Sequence, residues 1–323
     1  MPGYDLTSFG VTEAQVTHAA ELIRAGRLVA FPTETVYGLG ANALDAAAVA
    51  RIFEAKGRPH SSPIICHISS LEMVGEIAAV WPESAQKLAG KFWPGPLTLV
   101  LPKTSAVPDL VTAGLPTVGV RMPAHPIALA LLTASQVPIA APSANRFTQV
   151  SPTTAEHVRH SLGDRVDYIL DGGPCPVGIE STVLTLTEPV PVLLRPGGIS
   201  RQQIEEVIGP VASAQEPQAD TAHASPGLHP RHYSPRTRLY LVENGKVPGE
   251  GSGAYLQLAH APHGAVTEVV PMPRDAAGYA ARLYEVLHFL DVRCLDWIAV
   301  DTPPDLPEWE AVQDRLRRAA SAK

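Results

Sequence analysis

The stretch Arg27-Leu28-Val29-Ala30-Phe31-Pro32-Thr33-Glu34-Thr35-Val36-Tyr37-Gly38-Leu39-Gly40 joins an apolar run to a polar, glycine-ended one. Arg27 to Phe31 reads as a strand that Pro32 ends. Pro32 to Gly40 reads as a loop at the strand's end, either a hydrogen-bonded turn whose Thr and Glu satisfy loose backbone groups or a place where binding groups are held. Upstream, Thr12-Glu13-Ala14-Gln15 has capping-box spacing and Gly26 supplies a stop, which predicts a helix between them. Downstream, Asp45 caps a second helix with Val49, Ile52 and Phe53 on one face and Gly57 as its stop. Helices flanking a strand set an α/β pattern.

The rest of the chain continues it. Strands are expected at 63–68, 97–101, 117–122, 137–141, 166–170, 181–186 and 190–194. Helices are expected at about 70–79, 82–91 and 126–134, from Thr153 or Thr154 to Gly163, and from Ser200 to Gly209. Together these predict a twisted mixed sheet with helices on its faces over residues 1–209. From 210 to 237 the prolines Pro210, Pro217, Pro226, Pro230 and Pro235 punctuate a stretch with little apolar periodicity, expected as a linker. Strands at 238–243, 254–258 and 297–301 with helices at 275–290 and 307–320 then form a small Rossmann-like α/β unit over 238–323.

Composition narrows the class. Proline accounts for 32 of 323 residues and glycine for 25, below the roughly 25–30% combined share of low-complexity chains. Hydrophobic residues make up 45% and charged residues 18%, which also argues against disorder. The net charge of −7, without long Lys/Arg runs, does not suit a general nucleic-acid binder. Cys66, Cys175 and Cys294 are far apart and odd in number, which argues against a disulfide framework or zinc ribbon and predicts reduced thiols. No signal peptide is evident, and the most apolar stretch, Pro126 to Pro142, is too interrupted for a membrane span.

Several polar groups stand at strand boundaries. Gly38-Leu39-Gly40-Ala41-Asn42-Ala43 fits the dinucleotide pattern G-x-G-x-x-A, but it stands six residues from the strand and ahead of a helix that starts only near Asp45. Lys56-Gly57-Arg58-Pro59 places two cations at a helix-to-loop corner, suited either to the helix dipole or to phosphates. His67 lies in a strand, as a structural hydrogen-bonder or a catalyst. Arg121 in Val118-Gly119-Val120-Arg121-Met122 must find a partner or an anion, and bidentate carboxylate binding suits it. Pro142-Ser143-Ala144-Asn145, Glu180-Ser181-Thr182 and Arg195-Pro196-Gly197-Gly198 repeat the theme. There is no nucleophile elbow, P-loop or H-E-x-x-H, and His229 and His232 are a pair without metal-ligand companions. This inventory suits holding a phosphorylated, carboxylated ligand.

Taken together, residues 15 to about 209 resemble the YrdC-like threonylcarbamoyl-AMP synthases. The marks are Pro32 to Gly40, Lys56-Gly57-Arg58-Pro59, Phe92-Trp93-Pro94-Gly95-Pro96-Leu97-Thr98, Val120-Arg121, Pro142-Ser143-Ala144-Asn145 and Glu180-Ser181-Thr182-Val183. Ser225-Pro226-Gly227 and His232-Tyr233-Ser234-Pro235 resemble the linker of the family's two-domain form. The resemblance implies that L-threonine, bicarbonate and ATP give threonylcarbamoyl-AMP and pyrophosphate. Downstream tRNA threonylcarbamoyl-transferase proteins would then use the product to modify adenosine 3′ of the anticodon. It further implies a cytoplasmic location and Mg²⁺ arriving with ATP, held by phosphate oxygens and water with no protein metal site.

Carried over by position, Thr35, His67, Arg121, Ala141 and Ser181 would line the threonine pocket, with Arg121 on the carboxylate. Lys56, Arg58, Ser62, Thr117, Ser143, Asn145, Ser151, Arg195 and Tyr233 would meet ATP. Lys56 and Arg58 would act catalytically on the phosphates, and Tyr233 would close over the site. Two departures stand out. Ser62 occupies the place of the family's usual Asn, and Leu228-His229-Pro230 replaces Met-Lys-Tyr in the linker. The alternative function is an RNA-binding module recognising tRNA directly. Carbamoyl-transfer maturation proteins resemble this chain with added zinc-finger and acylphosphatase segments.

Overall fold

The computed structural model describes residues 4–214 and 233–321. Ser225-Pro226-Gly227, Leu228-His229-Pro230 and His232 lie outside the described residues.

Helix α1 (Glu13–Arg24) starts where its sequence directs it, with Thr12 accepting from the Gln15 backbone amide and Gln15 reaching back to Thr12 N. Val16, Ala19, Ala20 and Ile23 form its buried stripe. Strand β1 (Val29–Phe31) follows, then β2 (Gly38–Asn42) and α2 (Ala46–Lys56), with Asp45 accepting from the amides of Ala47 and Ala48. Next come β3 (Ile65–His67), α3 (Val74–Ile77), α4 (Glu83–Phe92), β4 (Leu97–Pro102), α5 (Asp109–Thr112), β5 (Thr117–Arg121), α6 (Pro126–Ser135) and β6 (Ile139–Ala140). The first unit ends with α7 (Ala155–Leu162), β7 (Tyr168–Ile169), β8 (Thr182–Thr185), β9 (Val192–Arg195), α8 (Arg201–Ile208) and β10 (Ala212–Ser213).

These ten strands form one mixed sheet in the order β10-β9-β8-β4-β5-β3-β6-β2-β1-β7. Its two faces are covered by different apolar sets. One includes Tyr37, Ile52, Phe53, Leu88 and Leu99, and the other Ile23, Phe31, Ile127 and Leu131. In the second unit, β11 (Arg238–Val242), β12 (Gly253–Gln257), β13 (Glu268–Pro271), α9 (Ala276–Asp291), β14 (Trp297–Asp301) and α10 (Glu310–Ala320) build a four-stranded, all-parallel sheet ordered β11-β14-β12-β13. The α/β architecture therefore has the expected form, a mixed sheet plus a small Rossmann-like one.

Four details differ from the sequence reading. The loop expected through Gly40 ends earlier, because Gly38 onward pairs antiparallel with β1 and with β6. A Cβ on Gly40 would lie 2.8 Å from both the Phe31 ring and Ile139 Cγ2, so glycine is what allows this strand to pack. The helix expected at 70–79 is only one turn, because Ala78 turns extended and bridges Lys103 while Ala79 N donates to Pro102 O. The segment expected as linker from 210 stays with the first sheet through β10. The last helix begins at Glu310, after a 3₁₀ turn over Pro307–Trp309.

Candidate active site

Register creates the site. Strands β3 and β5 run parallel with His67 opposite Arg121, so both side chains emerge at the same end of neighbouring strands. Ala141 follows β6 and Ser181 precedes β8, and the loop from Pro32 runs across the same end. One cleft is lined by Thr33, Thr35, Val36, Gly38, Arg58, Ile65, His67, Arg121, Ala141, Pro142, Ser143, Glu180, Ser181 and Arg195. All five residues expected around threonine are therefore brought together.

The loop is held by its own hydroxyls. Thr33 Oγ1 donates to Val36 O at 2.7 Å, accepts from Val36 N and lies 2.8 Å from Thr35 Oγ1. Such local side-chain bonds fix a turn. Thr35 Oγ1 accepts from Arg121 Nη1 at 3.0 Å, while Arg121 Nε donates to Gly95 O at 3.3 Å. The third arm, Arg121 Nη2, lies 2.7 Å from Glu34 Oε1, and Glu34 Oε2 accepts from Ala124 N. Arg121 has thus found the internal partner that a buried guanidinium needs.

On the other wall, Arg195 donates from Nε to Ser181 O at 3.1 Å and from Nη2 to Ser181 Oγ at 3.2 Å. Ser181 Oγ also lies 2.8 Å from Thr98 Oγ1. Glu180 Oε1 accepts from Ser151 Oγ at 2.5 Å, and Oε2 accepts from Tyr284 OH at 3.0 Å and Arg315 Nε at 2.7 Å. Arg58 Nη2 donates to Ser62 Oγ at 2.5 Å and to Pro63 O at 2.8 Å.

The remaining expected residues fall around the cleft. The Lys56 ammonium donates to the carbonyls of Ser143 and Asn145, so it braces the loop instead of lining the cavity. Ser62 positions Arg58, and Ser151 positions Glu180. Thr117 lines a small neighbouring hollow behind Ile65. Asn145 Nδ2 donates to the carbonyls of Arg146 and Gln149. Tyr233 is buried against Tyr284, with ring centroids 5.9 Å apart, and its ring lies 5.1 Å from Arg315 Cζ. The sequence names Glu34 and Glu180 only as polar groups within their motifs, and gives no role to Tyr284 or Arg315. For Arg315 a signal existed, since it sits on the apolar stripe Val312, Leu316, Ala319 of α10.

Electrostatics favour an anion. Burial pulls Arg58 down to about 10, against an upward pull from Tyr233, and Arg195 adds a further downward push. Burial likewise lowers Arg195. These are the shifts of cations with too little negative charge nearby, and an anionic ligand would relieve them. Burial and then the Arg121 charge bring His67 down to about 3, so its imidazole is neutral at physiological pH. Burial opposes ionisation of Glu180, yet Arg315 and Arg195 outweigh it and hold the carboxyl below its ordinary value. Among the described residues no three His, Cys, Asp or Glu are grouped to hold a metal ion. Both carboxylates here are already engaged, so a metal would fit only with ligands that arrive on the substrate.

The comparisons agree with this geometry. Residues 21–197 match the family model described as Telomere recombination (Sua5_yciO_yrdC), and residues 199–321 match that of Threonylcarbamoyl-AMP synthase, C-terminal domain. The threonylcarbamoyl-AMP synthase of Pyrococcus abyssi is 45% identical, covering 96% of this chain and 95% of that protein. That of Bacillus subtilis is 43% identical, covering 96% and 94%. The crystal structure of P. abyssi Sua5 complexed with L-threonine superposes with a TM-score of 0.89 at 44% identity, covering 96% of this chain and 95% of that one. E. coli YciO matches at 27% identity with a TM-score of 0.54, covering 60% of this chain and 94% of its own. From both the site and its relatives, the chain belongs to the Sua5/YrdC family of threonylcarbamoyl-AMP synthases.

Proposed function

We propose that this chain joins L-threonine, bicarbonate and ATP into threonylcarbamoyl-AMP, releasing pyrophosphate and water. The observation that carries the reading is the convergence of Thr35, His67, Arg121, Ala141 and Ser181 with Arg58 and Arg195 in one cleft. Arg121 offers a guanidinium fork to the threonine carboxylate, in exchange for part of its contact with Glu34. Ala141 and Ile65 give the small side chain an apolar wall. Bicarbonate takes up a proton and loses water to give CO₂, and the threonine amine adds to the CO₂ carbon, forming a carbamate and returning the proton. The carbamate oxygen then attacks the α-phosphorus, and the bond to the β-phosphate oxygen breaks. Arg58 and Arg195 neutralise the charge that builds on phosphate oxygens. Holding the two reactants in line supplies most of what such a step needs.

Lys56 contributes by fixing the carbonyls of Ser143 and Asn145, which sets where Ser143 meets the nucleotide. To touch phosphate its ammonium must leave those carbonyls. The neutral His67 suits hydrogen bonding to threonine, and its low proton affinity argues against storing the amine's proton there. Mg²⁺ would arrive with the triphosphate, held by its oxygens and water, and would shield the leaving pyrophosphate. We read the product as supplied to tRNA threonylcarbamoyl-transferase proteins. The free thiols of Cys66, Cys175 and exposed Cys294 fit a reducing cytoplasm, and no helix among the described residues is long and apolar enough to cross a membrane.

Pyrophosphate release from ATP, with threonine and bicarbonate present and then each omitted, tests the reading. Release should require all three. Release that continues unchanged without threonine would overturn it.

A further inference from the structure

We infer that Arg315, on the last helix of the second unit, is a positioning residue of the active site in the first. This rests on the synthase reading for its kinetics but on geometry for its argument. The Arg315 side chain has no exposed surface. Nε donates to Glu180 Oε2 at 2.7 Å, and Nη2 donates to Pro196 O at 3.1 Å and Glu180 O at 3.4 Å. Nη1 donates to Asp314 Oδ2 at 2.7 Å. Glu180 and Pro196 are the chain neighbours of Ser181 and Arg195, the bonded pair that forms one wall of the cleft. One guanidinium therefore ties both backbone segments of that wall together.

The wall cannot hold this arrangement alone. Glu180 is 7% exposed, and its carboxylate accepts from Ser151, Tyr284 and Arg315, with Arg195 the second cation that acts on it. Without Arg315 a buried carboxylate keeps only hydroxyl donors, and its nearest cation becomes Arg195. Arg195 would then be drawn from Ser181 toward Glu180, off the place where it meets phosphate. The planar fork matters here, because four acceptors spread around a guanidinium outnumber the three donors of a compact ammonium. The ring of Tyr233 lies 5.1 Å from the Arg315 guanidinium carbon and stacks on Tyr284, so the same side chains hold it. The second unit thus contributes to the reaction through a structural brace that touches no substrate.

The test is Arg315→Lys in the full chain, with Tyr284→Phe as a milder variant that removes one hydroxyl from Glu180 and keeps the ring. Arg315→Lys should lower kcat about tenfold or more at saturating substrates, and Tyr284→Phe about threefold to tenfold. Amide hydrogen exchange over residues 179–184 and 193–199 should speed up in both, while that of β12 stays as in the wild type. Arg293→Ala, which removes an exposed pair with Glu268, should change neither readout. Wild-type kcat together with wild-type exchange in Arg315→Lys and Tyr284→Phe would overturn the inference. If the wild-type chain itself releases no threonine-dependent pyrophosphate, the synthase reading falls, and exchange over 179–184 and 193–199 still decides the brace.

Discussion

Arg121 Nη2 meets Glu34 Oε1 at 2.7 Å, with the two side chains only 4% and 9% exposed. The pair links the loop after β1 to the end of β5, and its guanidinium also holds Thr35 and Gly95. In the proposed threonine site a carboxylate would share Arg121 with Glu34 instead of meeting a free cation. Arg121→Lys keeps the charge but loses the fork, and the apparent threonine KM should rise about tenfold or more. Arg121→Ala should raise it further and also destabilise the fold by about 3–5 kcal/mol, because Glu34 is left buried without its cation. Steady-state kinetics at saturating ATP, with thermal unfolding beside them, check both effects. An unchanged threonine KM in either variant would remove Arg121 from the carboxylate site.

Much of this arrangement is readable from local sequence. Thr12, Asp45, Thr154 and Ser200 each accept the amide bond that their cap spacing predicts. The five positions proposed for threonine reach one cleft because each stands at a strand end or in the loop after β1, and a sheet gathers such segments together. What local pattern misses is pairing between distant segments. Strand β2 has glycines where a strand signal needs side chains, and its evidence lies in the Phe31 and Ile139 atoms that fill the space above Gly40. Glu34 and Glu180 look like loop residues until register places Arg121 and Arg315 against them. The bonds of Lys56 to the carbonyls of Ser143 and Asn145 could not be read beside its phosphate motif, because backbone carbonyls carry no sequence signal.

That bracing role makes Lys56 a stability residue as well. Burial, and then the nearby Arg58 charge, push its ammonium well below the ordinary lysine range. It still donates to two carbonyls, so removing it leaves two buried acceptors with a lost partner. Lys56→Met conserves the length and should cost about 2–5 kcal/mol. It should also raise the ATP KM, since Ser143 lines the cleft. Urea unfolding measures the first and pyrophosphate release the second. A variant as stable as the wild type would show that the loop needs no ammonium.

His157 on α7 and His288 on α9 stack across the two units, with ring centroids 3.9 Å apart and planes at 20°. His288 Nε2 lies 3.0 Å from Ser151 O, and Thr153 N donates to His157 Nδ1. Burial lowers His157 to about 3, with His288 and His160 adding to the shift. Burial lowers His288 to about 4, with Asp291 opposing and His160 adding. The sign follows from linkage. Above pH 6.5 neither state protonates the pair, and it contributes no pH dependence. Between pH 6.5 and about 4 the unfolded chain takes up protons that the folded chain refuses, so stability falls as pH falls. The urea midpoint should drop between pH 7.5 and 5, and the double variant His157→Gln, His288→Gln should make that drop shallower, leaving the share of His67 and His125, which burial also lowers. An equally steep drop in the double variant would assign the pH dependence to other groups.

Gly197 sits where the two segments of the Arg195 wall come closest. A Cβ there would lie 2.3 Å from Thr182 N, 2.5 Å from Ser181 C and 2.7 Å from Glu180 O. These are backbone atoms, so no side chain can rotate away to make room. Gly197→Ala must push residues 196–198 off 180–182, stretching the bonds that Arg195 makes to Ser181 and Arg315 makes to Pro196. Overpacking of this kind costs about 1–3 kcal/mol, and misplacing Arg195 should lower kcat about tenfold or more. Gly90 provides the contrast. It lies inside α4 with open space where a Cβ would be, so Gly90→Ala should gain about 0.5–1 kcal/mol at unchanged kcat. Thermal unfolding and kinetics on the two alanine variants separate the cases. Wild-type kcat in Gly197→Ala would mean that the wall tolerates displacement and that its close approach has no part in catalysis.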